Sequence, residues 1–124
     1  MTSVKSKDNR LERRVRSALH RRGLRFRTHA KHLPGKPDIS LPRYQVAVFV
    51  DGDFWHGFNF PRWKEGLSEF WANKIAKNRV RDARNFRRLR NLGWRVVRLW
   101  DHQLEKDFDA SIGKILATIG RNLP

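Results

Sequence analysis

Carboxylates and one imidazole recur along this chain in positions that could serve hydrolysis. Asp38 follows Pro37 and opens a short apolar stretch to Leu41, while Asp51 and Asp53 end a second stretch, Tyr44 to Val50, with His56 just beyond. If the two stretches form a tight antiparallel hairpin, Asp38 lies beside Val50-Asp51-Gly52-Asp53. Glu12 and Asp82 belong to segments with helical periodicity and can join the cluster from two helices. Hard oxygen ligands favour magnesium, with manganese as a substitute. Magnesium held by one or two carboxylates keeps waters and open positions, so it can grip a scissile phosphate while supporting an attacking hydroxide. An imidazole can take that water's proton near neutral pH. His56 has the acidic setting for this role, whereas His20, His29, His32 and His102 lack one.

Each residue also has an ordinary alternative. Pro-Asp pairs are common in turns. A buried Asp82 could pair with a nearby Arg as a structural salt bridge, Asn78 could be a satisfied core amide, and a His in an aromatic loop often only packs or hydrogen-bonds.

The elements that must position these groups can be read from periodicity. Asp8 could cap a helix to about Arg22, with Leu11, Val15, Ala18 and Leu19 on one stripe and Gly23 ending it. Glu12 lies in its first turn on the border of that stripe. Leu24 to His29 alternates apolar and basic residues like a half-buried strand, and the breakers of Leu33-Pro34-Gly35-Lys36-Pro37 follow. Val46-Ala47-Val48-Phe49-Val50 is unbroken, as in a strand buried on both faces. Residues 51 to 67 have no period and read as a functional loop. Ser68 and Glu69 open a long helix to about Leu92, closed by Gly93; Trp94 to Trp100 is a fourth strand, and a last helix spans Phe108 to Gly120. The expected architecture is one α/β domain over residues 1–124, a mixed layer of strands and helices.

On the long helix, Trp71, Ile75, Asn78, Asp82, Phe86 and Leu89 share one narrow face, so the inward stripe is polar in its middle. Lys74, Lys77, Arg81, Arg84 and Arg88 occupy other sectors and can present a basic flank to phosphates.

Lys and Arg number 28 against 12 Asp and Glu, a formal charge of +16, which makes a polyanion the default partner. The apolar fraction of 39% argues for a real core, not a basic tail. With no Cys, disulfides and thiolate zinc sites are excluded. The polar start, Met1 to Arg10, lacks the apolar core of a signal peptide, and no apolar run approaches a membrane span, so a cytoplasmic protein is expected. Phe54, Trp55 and Trp71 can either pack in a core or insert between base steps and bend a duplex; Trp94 and Trp100 read as core.

Ser6-Lys7-Asp8, Glu12, Leu33-Pro34-Gly35-Lys36-Pro37-Asp38, Phe54-Trp55-His56, Glu69-Phe70-Trp71, Asn78, Arg81-Asp82 and Leu92-Gly93-Trp94-Arg95-Val96 occur in an order that resembles the very short patch repair (Vsr) endonucleases. The resemblance runs over about residues 3 to 104. It implies a PD-(D/E)XK, restriction-endonuclease-like core with a mixed four-stranded sheet flanked by helices. It also implies nicking of double-stranded DNA on the 5′ side of the T in a T:G mismatch. Carried over by position, Asp38 becomes the magnesium ligand with the backbone carbonyl of Val50, and His56 the general base. Glu12 would orient water at the metal, and Asp82 would support the His or the metal shell. Phe54, Trp55 and Trp71 become a wedge into the base stack, with Lys36, Lys74, Asn78 and Arg81 as further expected DNA contacts.

Members of that family usually hold a structural zinc through Cys and His. Asp53, Phe58, Phe60 and His102 stand at the equivalent positions, so no zinc is expected, and Phe58 and Phe60 could take over the bracing by packing. Asp51 stands where the family commonly has a His and adds a candidate metal ligand. Two rival readings follow: a Vsr-like homing or restriction-type nuclease that reads a sequence, and a DNA-binding module without catalysis. Expected partners are duplex DNA and mismatch-repair proteins, with the chain acting as a monomer near the bacterial nucleoid.

Overall fold

The computed structural model describes residues 9–53, 56–58 and 63–120. Helix α1 spans Asn9–Arg21, strand β1 Arg27–Thr28, β2 Ile39–Leu41 and β3 Val46–Asp51. A 3-10 turn at Lys64–Gly66 precedes α2, Glu69–Asn91, followed by β4, Arg95–Trp100, and helices α3, Asp101–Lys106, and α4, Phe108–Gly120. The strands form one mixed sheet in the order β1-β2-β3-β4, antiparallel for the first two pairs and parallel between β3 and β4.

β3 is buried at every position, as its unbroken apolar run requires. Successive side chains of a strand point to opposite faces, and the packing follows that alternation. Val46, Val48 and Val50 join Leu11, Val15 and Leu19 of α1, Val97 and Leu99 of β4, Leu104 of α3 and Ile112 and Ile115 of α4 in the larger core. Ala47 and Phe49 instead meet Leu89, Phe86, Trp94 and Val96 on the face covered by α2. One layer of helices, α1 with α3 and α4, therefore covers one face, and α2 covers the other. By the same alternation Asp51 falls on the α2 side with Ala47 and Phe49, and Arg98 with Val96.

Ser68 caps α2 by accepting a hydrogen bond from the Trp71 amide at 3.3 Å. Along this helix Ile75, Asp82 and Leu89 are buried, two turns apart, so the acidic interruption of the apolar stripe does face inward. Asn78 and Phe86 are half-buried, and Trp71 lies at the border of exposure, its ring edge-on to Phe70.

Three expectations need correction. The first strand is two residues, Arg27–Thr28, both exposed, and not a half-buried strand from Leu24: it is an edge strand, and Leu24 and Phe26 pack on the core from the connecting segment. Periodicity predicts no helix between β4 and the last helix, yet Asp101–Lys106 forms one, buried only through Leu104, because six residues are too few to show a stripe. Trp100 is not a core residue but lies half-buried, its ring over the Arg98 guanidinium. Among the described residues, no helix is long and apolar enough to cross a membrane.

Leu99 is fully buried where β4 meets both α1 and α4. Leu99→Ala should lower unfolding stability by about 2–5 kcal/mol, read as a fall in the urea midpoint with an unchanged slope.

Candidate active site

The β2–β3 hairpin has Ile39 opposite Val48, which puts Asp38 beside the end of β3. There the Val50 amide donates to Asp38 Oδ2 at 2.8 Å, tying the carboxylate to the backbone next to Asp51. The loop leading in is a turn in which Lys36 N–H bonds back to the Leu33 carbonyl at 3.0 Å. Pro34 fits its second position and Gly35, at φ +76, its third, the pattern of a type II turn. A Cβ on Gly35 would also come within 3.3 Å of the Phe49 ring and 3.2 Å of Asn85 Cβ, so this position is restricted twice.

His56 is held from two sides. Its Nδ1 lies 2.7 Å from Asp82 Oδ2 on α2, and its Nε2 lies 3.5 Å from Asp51 Oδ1 at the end of β3. Burial alone would push the Asp82 carboxyl up, but the hydrogen bond and charge of His56, with Arg98 and Arg81, hold it below its ordinary value. An ionised carboxylate can only accept, so Nδ1 carries the proton and Nε2 is left as the basic nitrogen. The 3.5 Å separation at Nε2 exceeds a direct hydrogen bond. At Asp51 burial wins: it raises the carboxyl despite the charges of His56 and Arg98.

Asp38, Asp51, His56 and Asp82 line one pocket of about 390 Å³, together with Lys36, Arg81, Asn85 and Phe86. Glu12 does not line it. Instead of one cluster there are two among the described residues: Asp51, His56 and Asp82 in the first, and Glu12, His29 and Asp38 in the second, each with its candidate ligand atoms within 4.8 Å of one another. Glu12 is 2% exposed and its Oε2 is shared by Arg16 at 2.6 Å and His29 Nε2 at 3.2 Å. Glu12 Oε1 is buried without a hydrogen-bond partner among the described residues, an orphan that a cation or water would satisfy. This oxygen-rich donor set fits a hard divalent cation. In the first cluster the Oδ2 atoms of Asp51 and Asp82 are already bonded to Arg98, which makes the Glu12–Asp38 side the better place for a metal.

The structure corrects the exclusion of two histidines. His29 faces Glu12 and Asp38, and His102 Nδ1 lies 2.9 Å from Asp53 Oδ1. Phe58 packs against both the His102 and Trp100 rings, with centroids 4.4 and 5.0 Å apart. Three of the four positions matched to the family's zinc ligands thus meet, while Phe60 lies outside the described residues, as do Phe54 and Trp55.

Of the expected DNA contacts, Lys36 and Arg81 reach the pocket wall, Asn78 and Arg81 border a second hollow on α2 with Lys77 and Arg84, and Lys74 is exposed. The same Asp82 carboxylate contacts both His56 and Arg98, so an ion pair with an arginine and a contact to the imidazole coexist. Sequence reasoning missed Arg98 altogether. The available signal was a cation at the parity of Val96 and Trp100, between apolar neighbours on a strand covered on both faces.

A half-buried imidazole hydrogen-bonded to Asp82, with Asp51 and Asp38 and basic walls in the same pocket, describes a phosphodiester hydrolase. Residues 1–62 match the family model of DNA mismatch endonuclease Vsr. The chain is 43% identical over 106 residues to the type II nicking enzyme V.XorIIP of Xanthomonas oryzae pv. oryzae, spanning 84% of this chain and 78% of that one. It is 40% identical over 118 residues to the type II nicking enzyme V.NmeDIP of Neisseria meningitidis serogroup C, spanning 93% and 80%. With the DNA mismatch endonuclease Vsr of Escherichia coli K12 it shares 39% over 103 residues, 82% of this chain and 66% of the other. The chain belongs to the Vsr family of DNA-nicking endonucleases, and the mixed sheet with its flanking helices is the restriction-endonuclease-like core.

Because the folded pKa of Asp82 lies below its unfolded value, the ionised group stabilises the fold at higher pH, and this contribution is lost as pH falls below about 3.8. In metal-free solution the wild-type chain should therefore lose more stability over that acid range than Asp82→Asn, compared by urea unfolding at each pH.

Proposed function

We propose that this enzyme nicks one strand of duplex DNA on the 5′ side of the T in a T:G mismatch, with Asp38 as the metal ligand and His56 as the general base. The observation that carries the reading is the His56–Asp82 pair, which leaves Nε2 as the basic nitrogen in a pocket shared with Asp38. His56 Nε2 takes the proton of a water whose oxygen bonds to phosphorus as the bond to the leaving sugar oxygen breaks. Asp82 holds the ring and balances the imidazolium that forms. Lys36 and Arg81 attract the phosphate at the pocket wall, and Lys74 and Asn78 extend the contact along α2.

Asp38, with the Val50 carbonyl beside it, would hold magnesium or manganese, and Glu12 would orient water there; Asp51 serves His56 and Arg98 in preference to the metal. When bound, the ion supplies Lewis-acid stabilisation of charge on the scissile phosphate. Phe54, Trp55 and Trp71 are the proposed wedge into the base stack, which a mispair opens at lower cost than a matched pair. The named mismatch activity of the Escherichia coli relative supports this specificity. A monomer acting on DNA in the bacterial cytoplasm, alongside mismatch-repair proteins, fits the reading.

In magnesium, a T:G duplex should be nicked and its T:A counterpart left intact. Equal cutting of both would reject mismatch recognition in favour of a nuclease that reads sequence. Asp38→Asn should reduce kcat on the order of 10³-fold while duplex binding persists in a mobility-shift assay; retained cleavage would remove Asp38 from the site.

A further inference from the structure

Arg98 enters the site from β4, opposite Phe49 in the parallel register, and spans two carboxylates from different elements. Its Nε donates to Asp51 Oδ2 and its Nη2 to Asp82 Oδ2, each at 2.7 Å. The guanidinium carbon lies 4.2 Å from the Trp100 ring centroid and 5.0 Å from that of Phe86, so aromatic faces hold it in place. Arg98 therefore fastens both carboxylates that flank His56.

The two sides of the imidazole are unequal. On the Nδ1 side Asp82 is at hydrogen-bonding distance, and on the Nε2 side Asp51 stands back at 3.5 Å while its other oxygen is drawn to Arg98. Were Asp51 free to turn, nothing else among these contacts would hold its carboxylate off Nε2. A carboxylate closing on that side would favour the imidazolium, with Nε2–H donating to Asp51, and a nitrogen already protonated cannot accept the water's proton.

We propose that Arg98 is a positioning residue for strand cleavage: its guanidinium fork holds Asp51 back from His56 and shares Asp82 with it, keeping Nε2 turned to the reacting water. This rests on His56 being the base. Lysine does not fully replace arginine here, because the rigid fork presents Nε and Nη2 to two carboxylates in fixed directions, whereas an ammonium on a flexible stem does not. Asp51 is the source of the interference, so its removal relieves the need for Arg98.

The test is nicking kinetics of the full chain on a cleavable duplex in magnesium for wild type, Arg98→Met, Arg98→Lys, Asp51→Ala and the Asp51→Ala/Arg98→Met double variant, with folding checked by circular dichroism. Arg98→Met should lower kcat roughly 10- to 100-fold, the usual scale for a group that orients a catalytic one, with KM changed little. Arg98→Lys should recover only part, and the double variant most, of the loss. A merely structural pair would lose and regain unfolding stability with no matching change in the kcat of the folded enzyme, so urea midpoints are read beside kcat. Unchanged kcat in Arg98→Met, full activity in Arg98→Lys, or a double variant no faster than Arg98→Met overturns the assignment. If Arg98→Met fails to fold, the folded double variant decides: near wild-type kcat supports the role and a severe loss rejects it. Absence of wild-type cleavage would overturn the nuclease reading and this inference together, while an active wild type isolates the role of Arg98.

Discussion

Three aspartates, Asp38, Asp51 and Asp82, are buried between the sheet and α2, and much of the surrounding structure answers the cost of keeping them there. A carboxylate out of water needs donors or cations at once. Asp38 receives a backbone amide from the strand next to it, a partner supplied by the hairpin itself. Asp82 receives His56 and two arginines, and Asp51 shares one of those arginines. Remove the cations and the acidic groups repel one another in a space where water screens them poorly. Remove the acids and an arginine is left stranded against two aromatic rings.

That mutual dependence explains why polar and apolar packing are so sharply sorted. The core made with α1, α3 and α4 takes the valines of β3 and Leu99 of β4, whereas the α2 side takes Phe49, Asp51 and Arg98. One helix, α2, provides both the apolar contact at Leu89 and the acid at Asp82, so docking this helix and assembling the site are a single event.

Much of this arrangement was legible in the sequence because it follows periodicity. The double-sided burial of β3, the polar middle of the α2 stripe and the approach of Asp38 to Val50 all follow from spacings of two and about 3.6 residues. What was not legible depends on partners far apart in the chain. Arg98 reads as a solvated charge until β4 lies parallel beside β3, and His29 reads as one basic residue among many until the edge strand brings it to Glu12. Glu12 was assigned to the core's edge and to the same acidic group as His56; it is fully buried but belongs to the neighbouring group with His29 and Asp38, a division that helical phase alone does not reveal. The short helix α3 left no periodic trace because its length is under two turns.

The parallel pairing of Val50 with Leu99 and of Asp51 with Trp100 carries one more implication. Because neighbouring positions of a strand face opposite ways, a misalignment of β3 by one residue would drive Asp51 into the valine-lined layer and bring Val50 out toward α2. The incorrect alignment would thus be poor in energy and would separate Asp51 from Arg98 at the same time. Stability of the sheet and assembly of the Arg98 fork are tied together by the alternation of a single strand.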